Sequence, residues 1–275
     1  LGKAAENILQ TRQEAPLPYS EYAAQLNAFD VSFSNVDFAY EKNVPVLHDV
    51  SFSVKQGTTT ALVGPSGSGK TTVISLISRF WDVSKGSVTI GGCDIREQSP
   101  DALAEKIAIV FQDVYLLHDT IANNIRAGKP HASMEEIITA AKAAQCHEFI
   151  SALPDGYETM VGEGGNTLSG GEKQRISIAR ALIKDAPIVL LDETTSNLDA
   201  DNEKEIHKAL DALMKDKTVI VIAHRLNTII GANQILVMDK GEIRERGNHE
   251  KLLEEKGWYA RMISEQEKAR EWSVE

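Results

Sequence analysis

Apolar and polar residues alternate in steps of two near the start of the chain. Val31 and Phe33, then Val36, Phe38 and Tyr40, hold one face with a single phase slip, the mark of a bulged strand. Val50, Phe52 and Val54 repeat the period before a turn at Gln56-Gly57. Thr59-Thr60-Ala61-Leu62-Val63 reads as a short buried strand. The period then changes. Val73, Ile74, Ile77 and Phe80 fall on one side of a helix, with Leu76 adjoining.

From about Asp113 to Asp185 the pattern is mostly helical. Met134 to Phe149 is its clearest segment, and Leu153-Pro154-Asp155-Gly156 and Gly162-Glu163-Gly164-Gly165 interrupt it. Strand signals return at Ile188 to Leu191, Val219 to Ala223 and Ile235 to Met238, with Ile206, Ala209, Leu210 and Leu213 at helical spacing between the first two. Strands alternating with helices imply an α/β fold: a mostly parallel sheet covered on both faces, carrying a helical insertion over about 113–185. A polar helix is expected from about Lys3 to Glu14, with Ile8 and Leu9 its large apolar residues, ending at Pro16 and Pro18.

Composition narrows the function. With 42% hydrophobic and 25% charged residues in 275, the chain is an ordinary globular protein able to bury a full core. A formal net charge of −11 argues against a broad nucleic-acid-binding face. Cys93 and Cys146 have no metal-ligand spacing, which fits a reducing, cytosolic setting. No apolar run approaches the roughly 18 residues that a spanning helix needs. The start at Leu1 rather than Met suggests a piece of something longer.

Gly64-Pro65-Ser66-Gly67-Ser68-Gly69-Lys70-Thr71-Thr72 matches the phosphate-binding loop pattern, between a buried strand and an amphipathic helix. Its glycines let backbone N–H groups converge on phosphate oxygens, and the helix start adds partial positive charge. Lys70 would reach the β- and γ-phosphates, and the Thr71 hydroxyl would ligate Mg²⁺. Ile188-Val189-Leu190-Leu191-Asp192-Glu193 is a buried strand ending in two carboxylates. Asp192 would join the Mg²⁺ shell, and Glu193 would polarise the attacking water as general base.

Other positions are ambiguous in isolation. His224, after the strand ending at Ala223, is either structural or a γ-phosphate contact. Gln112, after the apolar strand Ile107 to Phe111, is ambiguous in the same way: structural, or an uncharged ligand for Mg²⁺ or water at the junction with the helical insertion. Tyr40 could stack on an adenine, but a core aromatic is the favoured reading. Ser169-Gly170-Gly171-Glu172 has the spacing of a capping box. Its two glycines nevertheless bare N–H groups that a cap does not require.

Taken in order, these residues resemble the nucleotide-binding domain of ABC transporters, a P-loop NTPase (RecA-like) core with an antiparallel β-subdomain and an inserted α-helical subdomain. The set comprises an A-loop-like Tyr40, the Walker A motif 64–72, a Q-loop Gln112, the signature Leu168-Ser169-Gly170-Gly171-Glu172-Lys173-Gln174-Arg175, the Walker B pair Asp192-Glu193, a D-loop-like Ser196-Asn197-Leu198-Asp199 and a switch His224. The resemblance runs from about Phe33 to Gln266. Phe111 to Ile125, Val161 to Gly165 (similar to an X-loop), Gly247 to Leu253 and Tyr259 to Arg261 are similar to the exporter branch. The resemblance implies a domain over 29–266. Residues 1–28 would be a linker and the end of a truncated transmembrane domain, and 267–275 a tail.

It also implies a partner: a second nucleotide-binding domain, identical or related, docked head to tail. Ser169, Gly170 and Gly171 would then close on the γ-phosphate of the nucleotide held by the other copy's P-loop. ATP and Mg²⁺ are the implied ligands, with Gln112 shared between metal and attacking water. The remaining partner is a transmembrane domain of the same polypeptide at the cytoplasmic face of the cell membrane, with no nucleic acid involved. Glu172 stands where many signatures have Gln, and Asn197 where alanine is more usual. The acidic balance and the exporter-like loops disfavour a soluble relative acting on DNA or ribosomes, and the signature disfavours a small-molecule kinase.

Overall fold

The computed structural model describes residues 17, 26–41, 44–165, 167–192, 200–223 and 226–272. One sheet is antiparallel. It contains β1 (Val31–Glu41), β2 (Val44–Val54), β4 (Lys85–Ile90) and β5 (Cys93–Asp94), in the order β2-β1-β4-β5. The expected slip in β1 falls between Phe33 and Val36, where Asn35 has φ 47°. That bulge returns Phe33, Val36 and Phe38 to the same buried face, and the Phe33 ring stacks on Phe52 at 4.6 Å.

The second sheet holds β3 (Thr59–Val63), β6 (Ile107–Val110), β7 (Ile188–Asp192), β8 (Thr218–Ile222), β9 (Gln234–Asp239) and β10 (Glu242–Gly247). Its order is β10-β9-β3-β8-β7-β6, parallel except for the β9–β10 pair. Successive side chains on a strand face opposite ways, so its four central strands feed two cores. Ala61, Val189, Leu191, Val219, Val221, Ile235 and Val237 enter the core shared with the helices. Leu62, Ile188, Leu190, Ile220, Ile222, Leu236 and Met238 enter the core shared with the antiparallel sheet. Burial on both faces is why these strands read as unbroken apolar runs.

Helix α1 (Lys70–Ile77) sends Val73, Ile74, Leu76 and Ile77 into that second core, alongside residues of both sheets. It ends sooner than the apolar spacing predicts. Arg79 and Phe80 donate their N–H groups back to Leu76 and Ser75, and Arg79 takes φ 52°. A left-handed residue there costs on the order of 1–2 kcal/mol. The Arg79 side chain offsets this by bonding Asp82 and the Ile95 and Gln98 carbonyls. Phe80, expected on the buried face, is therefore exposed.

Helix α2 (Pro100–Lys106) leads into β6. Between β6 and β7 the chain is mostly helical: α3 (Ile121–Arg126), α4 (Met134–Ala143), α5 (His147–Ala152) and α6 (Gly170–Lys184). The single segment expected over Met134 to Phe149 is broken in two. Gln145, at φ 55°, and Cys146 donate back to Lys142 and Ala141. That pairing is the six-to-one and five-to-two arrangement that closes a helix. It buries the Cys146 thiol, whose pKa burial pushes up to about 12. Helices α7 (Ala200–Met214), α8 (Leu226–Ile230), α9 (His249–Glu254) and α10 (Trp258–Trp272) complete the described chain. The polar helix expected over 3–14 lies outside the described residues.

Candidate functional site

All four strands β3, β8, β7 and β6 are parallel, so their carboxyl ends share one edge of the sheet. The loop 64–69 leaves β3 at that edge. Two of its glycines are required by neighbours. A Cβ on Gly64, at φ 147°, would lie 2.1 Å from the Met238 carbonyl oxygen of β9, and one on Gly69, at φ 101°, 2.6 Å from Leu47 Cδ2 of β2. The loop is thus pressed between the two sheets and turns into α1, whose N-cap Gly69 leaves the first N–H groups without a side-chain cap.

Lys70 is 8% exposed and lies inside the loop, its Nζ donating to the Gly64 and Pro65 carbonyls at 2.9 Å and to Ser68 Oγ at 3.3 Å. Burial lowers its pKa below the usual lysine range, and the charge of Asp192 opposes that shift. A cleft of about 350 Å³ is lined by Ser66, Gly67, Ser68, Gly69, Lys70, Thr71 and Thr72 together with Gln112, Asp192, Val46 and Ile222. Residues more than a hundred positions apart meet here because Gln112 follows β6 and Asp192 ends β7.

The donor set suits Mg²⁺. Thr71, Gln112 and Asp192 bring a hydroxyl, an amide carbonyl and a carboxylate, hard oxygens of the kind this ion takes beside phosphate and water. No cluster of three or more His, Cys, Asp or Glu able to hold a metal occurs among the described residues. Three such oxygens would make a partial shell, with room for a nucleotide's phosphates and water.

Tyr40 departs from the favoured core reading. It is 43% exposed, and its hydroxyl donates to Thr72 Oγ1 at 3.2 Å. Its ring meets Phe38 and Trp81 edge-on, at 86° and 87°. An exposed aromatic is thus tied to the helix that carries the phosphate loop, outside the lining of the cleft.

Ser169, Gly170 and Gly171 do not line the cleft. The capping box is present: Ser169 Oγ accepts from the Glu172 N–H at 3.3 Å, and Glu172 Oε2 from the Ser169 N–H at 2.8 Å. Gly170 is exposed, whereas Gly171 is buried with a packing reason for its missing side chain. A Cβ there would lie 2.9 Å from Asn202. Glu193, His224 and the D-loop stretch Ser196 to Asp199 lie outside the described residues.

Sequence reasoning missed several contacts. Val46 and Leu47 belong to the apolar run opening β2, which the alternation from Val50 onward did not include. Phe111, expected at a strand end, is exposed and stacks on Phe80 at 6.4 Å. Beyond Gln112 the chain is gripped by Arg180 of α6, which donates to the Asn124 carbonyl at 2.8 Å, to Asn124 Oδ1 at 2.9 Å and to the Tyr115 carbonyl at 3.4 Å. Fully buried Asn124 in turn accepts from the Leu117 N–H at 2.8 Å. The signal was an arginine within the apolar stretch Ile176 to Ile183.

A family model described as "ABC transporter" matches residues 47–196. The chain is 51% identical over 247 residues to an ATP-dependent lipid A-core flippase of Haemophilus influenzae, covering 89% of this chain and 42% of that protein. It is 50% identical over 232 residues to heavy metal tolerance factor 1 of Caenorhabditis elegans, covering 84% and 29%. A solved bacterial Atm1-family ABC exporter with ATP bound superposes with a TM-score of 0.87 at 42% identity, over 96% of this chain and 46% of that one. The chain thus spans less than half the length of these relatives.

Proposed function

Since the chain belongs to the ABC transporter family, as a nucleotide-binding domain of the exporter type, we propose that it binds and hydrolyses Mg-ATP and so drives a solute across a membrane. The supporting observation is the separation of two groups of residues. The cleft gathers the phosphate loop, Gln112 and Asp192, but Ser169 to Gly171 lie elsewhere on the same chain. A second domain docked head to tail would bring its signature to this cleft and receive this signature in return.

Within the cleft, Lys70 and the N–H groups opening α1 hold the phosphates, and Tyr40, bonded to Thr72 of the cleft lining, supports the base. Thr71, Gln112 and Asp192 would hold Mg²⁺, which when bound would neutralise phosphate charge. Glu193 takes the proton of the attacking water as it bonds to the γ-phosphorus, and ADP leaves from the opposite side. His224 contacts the γ-phosphate. Ser169, Gly170 and Gly171 serve the other copy's nucleotide.

The transmembrane partner has a candidate seat. A groove of about 440 Å³ beside the Gln112 segment is lined by exposed Phe80, Phe111, Tyr115 and Leu117, with Arg180 and Lys184 at its polar side. Apolar exposure of this kind marks an interaction surface. No helix among the described residues is long and apolar enough to cross a membrane. In this reading the domain works at the cytoplasmic face of the membrane, and the cargo is chosen by the membrane domain.

Glu193→Gln tests the reading. It should keep ATP binding, slow hydrolysis by on the order of 10²–10⁴ and trap an ATP-bound dimer. Undiminished turnover would remove Glu193 from the role.

A further inference from the structure

A buried arginine inside the signature helix points to a link between its start and that of the helix following the Walker B strand. Arg175, one turn along α6 from Gly171, is only 7% exposed. Its Nη1 donates to Asn202 Oδ1 at 2.8 Å, and its guanidinium lies 5.3 Å from the centroid of the Phe149 ring in α5. Its Nε finds no acceptor among the described residues. A buried guanidinium is costly unless its surroundings compensate, so losing a hydrogen bond to it is expensive.

Asn202 lies in the first turn of α7, ten positions after Asp192 in the chain. The same side chain packs on Gly171, so closely that a Cβ at Gly171 would sit 2.9 Å from Asn202 Oδ1 and Cγ. The beginnings of α6 and α7 therefore meet through one amide, which fills the space left by the second signature glycine and holds the arginine behind it. In the sequence, residues 193–199 are all that separate Asp192 from the start of α7.

We propose that Arg175 and Asn202 are positioning residues that hold the signature Ser169 to Gly171 in register with the first turn of α7. The inference rests on the head-to-tail reading. In such a pair the signature serves the other copy's nucleotide and Glu193 the chain's own, so one contact within a chain joins the two shared sites. Disturbing it weakens dimer closure and leaves the phosphate loop's own grip on ATP intact.

The test uses the 275-residue chain in a Glu193→Gln background, which slows hydrolysis, and adds Asn202→Ala or Asn202→Asp. Two quantities are measured: the affinity of the dilute monomer for a fluorescent ATP analogue, and the ATP-dependent dimer dissociation constant by sedimentation. Asn202→Ala should leave the first within about twofold and weaken the second about tenfold or more. Asn202→Asp, which keeps an acceptor for Arg175, should recover most of the dimerisation. Equal dimer affinity in the Ala variant and its parent overturns the proposal. So does a parallel fall in monomer ATP affinity, because the substitution would then be loosening the whole domain. A parent that fails to dimerise with ATP overturns the head-to-tail reading itself, and the parent alone reveals that outcome.

Discussion

Tyr40 and Thr72 are 32 positions apart, yet the phenol hydroxyl of one donates to the hydroxyl of the other at 3.2 Å. The bond ties the end of β1 to the helix that opens under the phosphate loop. The antiparallel sheet thus holds an exposed aromatic ring against the helix that follows the phosphate loop. Edge contacts with Phe38 and Trp81 help hold the ring in place.

Replacing Tyr40 should separate base recognition from phosphate recognition. Tyr40→Ala should lose about 1–3 kcal/mol of ATP affinity, the usual worth of a stacked base. Tyr40→Phe keeps the ring and should leave ATP affinity nearly unchanged, its lost bond to Thr72 costing about 0.5–1.5 kcal/mol of folding stability instead. Calorimetric titration with ATP and with tripolyphosphate checks this, since tripolyphosphate affinity should hardly change.

Lys70 is expected to favour binding at the expense of the empty fold. Lys70→Met should lower ATP affinity by an order of magnitude or more, because charge-assisted contacts of about 1.5–3 kcal/mol each are lost. It should also change how stability depends on pH. Burial depresses the Lys70 pKa from 10.5, so the unfolded chain binds the proton more tightly. The resulting penalty on the fold is complete below the folded pKa and fades as pH rises through that value to 10.5. Wild-type stability should therefore gain on that of the Met variant across this window, as denaturant melts at stepped pH would show.

Asn124→Ala should loosen the segment after Gln112. It removes the acceptor for Leu117 and one of the bonds from Arg180, leaving buried donors at a cost of about 1–3 kcal/mol. Amide exchange at Leu117 should accelerate at least about tenfold, while Ile188 to Leu191 in the central sheet keep more of their protection. Equal acceleration at both would show a global rather than a local effect.

The elements that sequence periodicity predicted well were those with a local cause. The bulge in β1, the run Ile188 to Leu191 and the helix bearing Ile206, Ala209, Leu210 and Leu213 are all visible in the spacing of apolar residues. Strands β4, β5 and β10 were missed: their ladders, not an apolar period, define them. Helix α1 overran because its stop uses Arg79 in a left-handed conformation rather than glycine, and the compensating bonds to Ile95 and Gln98 are non-local.

The order of motifs along the chain determined the family resemblance, and the phosphate loop was legible because nine consecutive residues carry its chemistry. Tertiary structure alone decided that Tyr40 faces outward, that Arg180 grips the segment after Gln112 and that Asn202 fills the space beside Gly171. A sequence records which side chains can donate, accept or stack. Whether they meet depends on strands and helices brought together over tens to more than a hundred residues, where packing and hydrogen-bond satisfaction choose the partner.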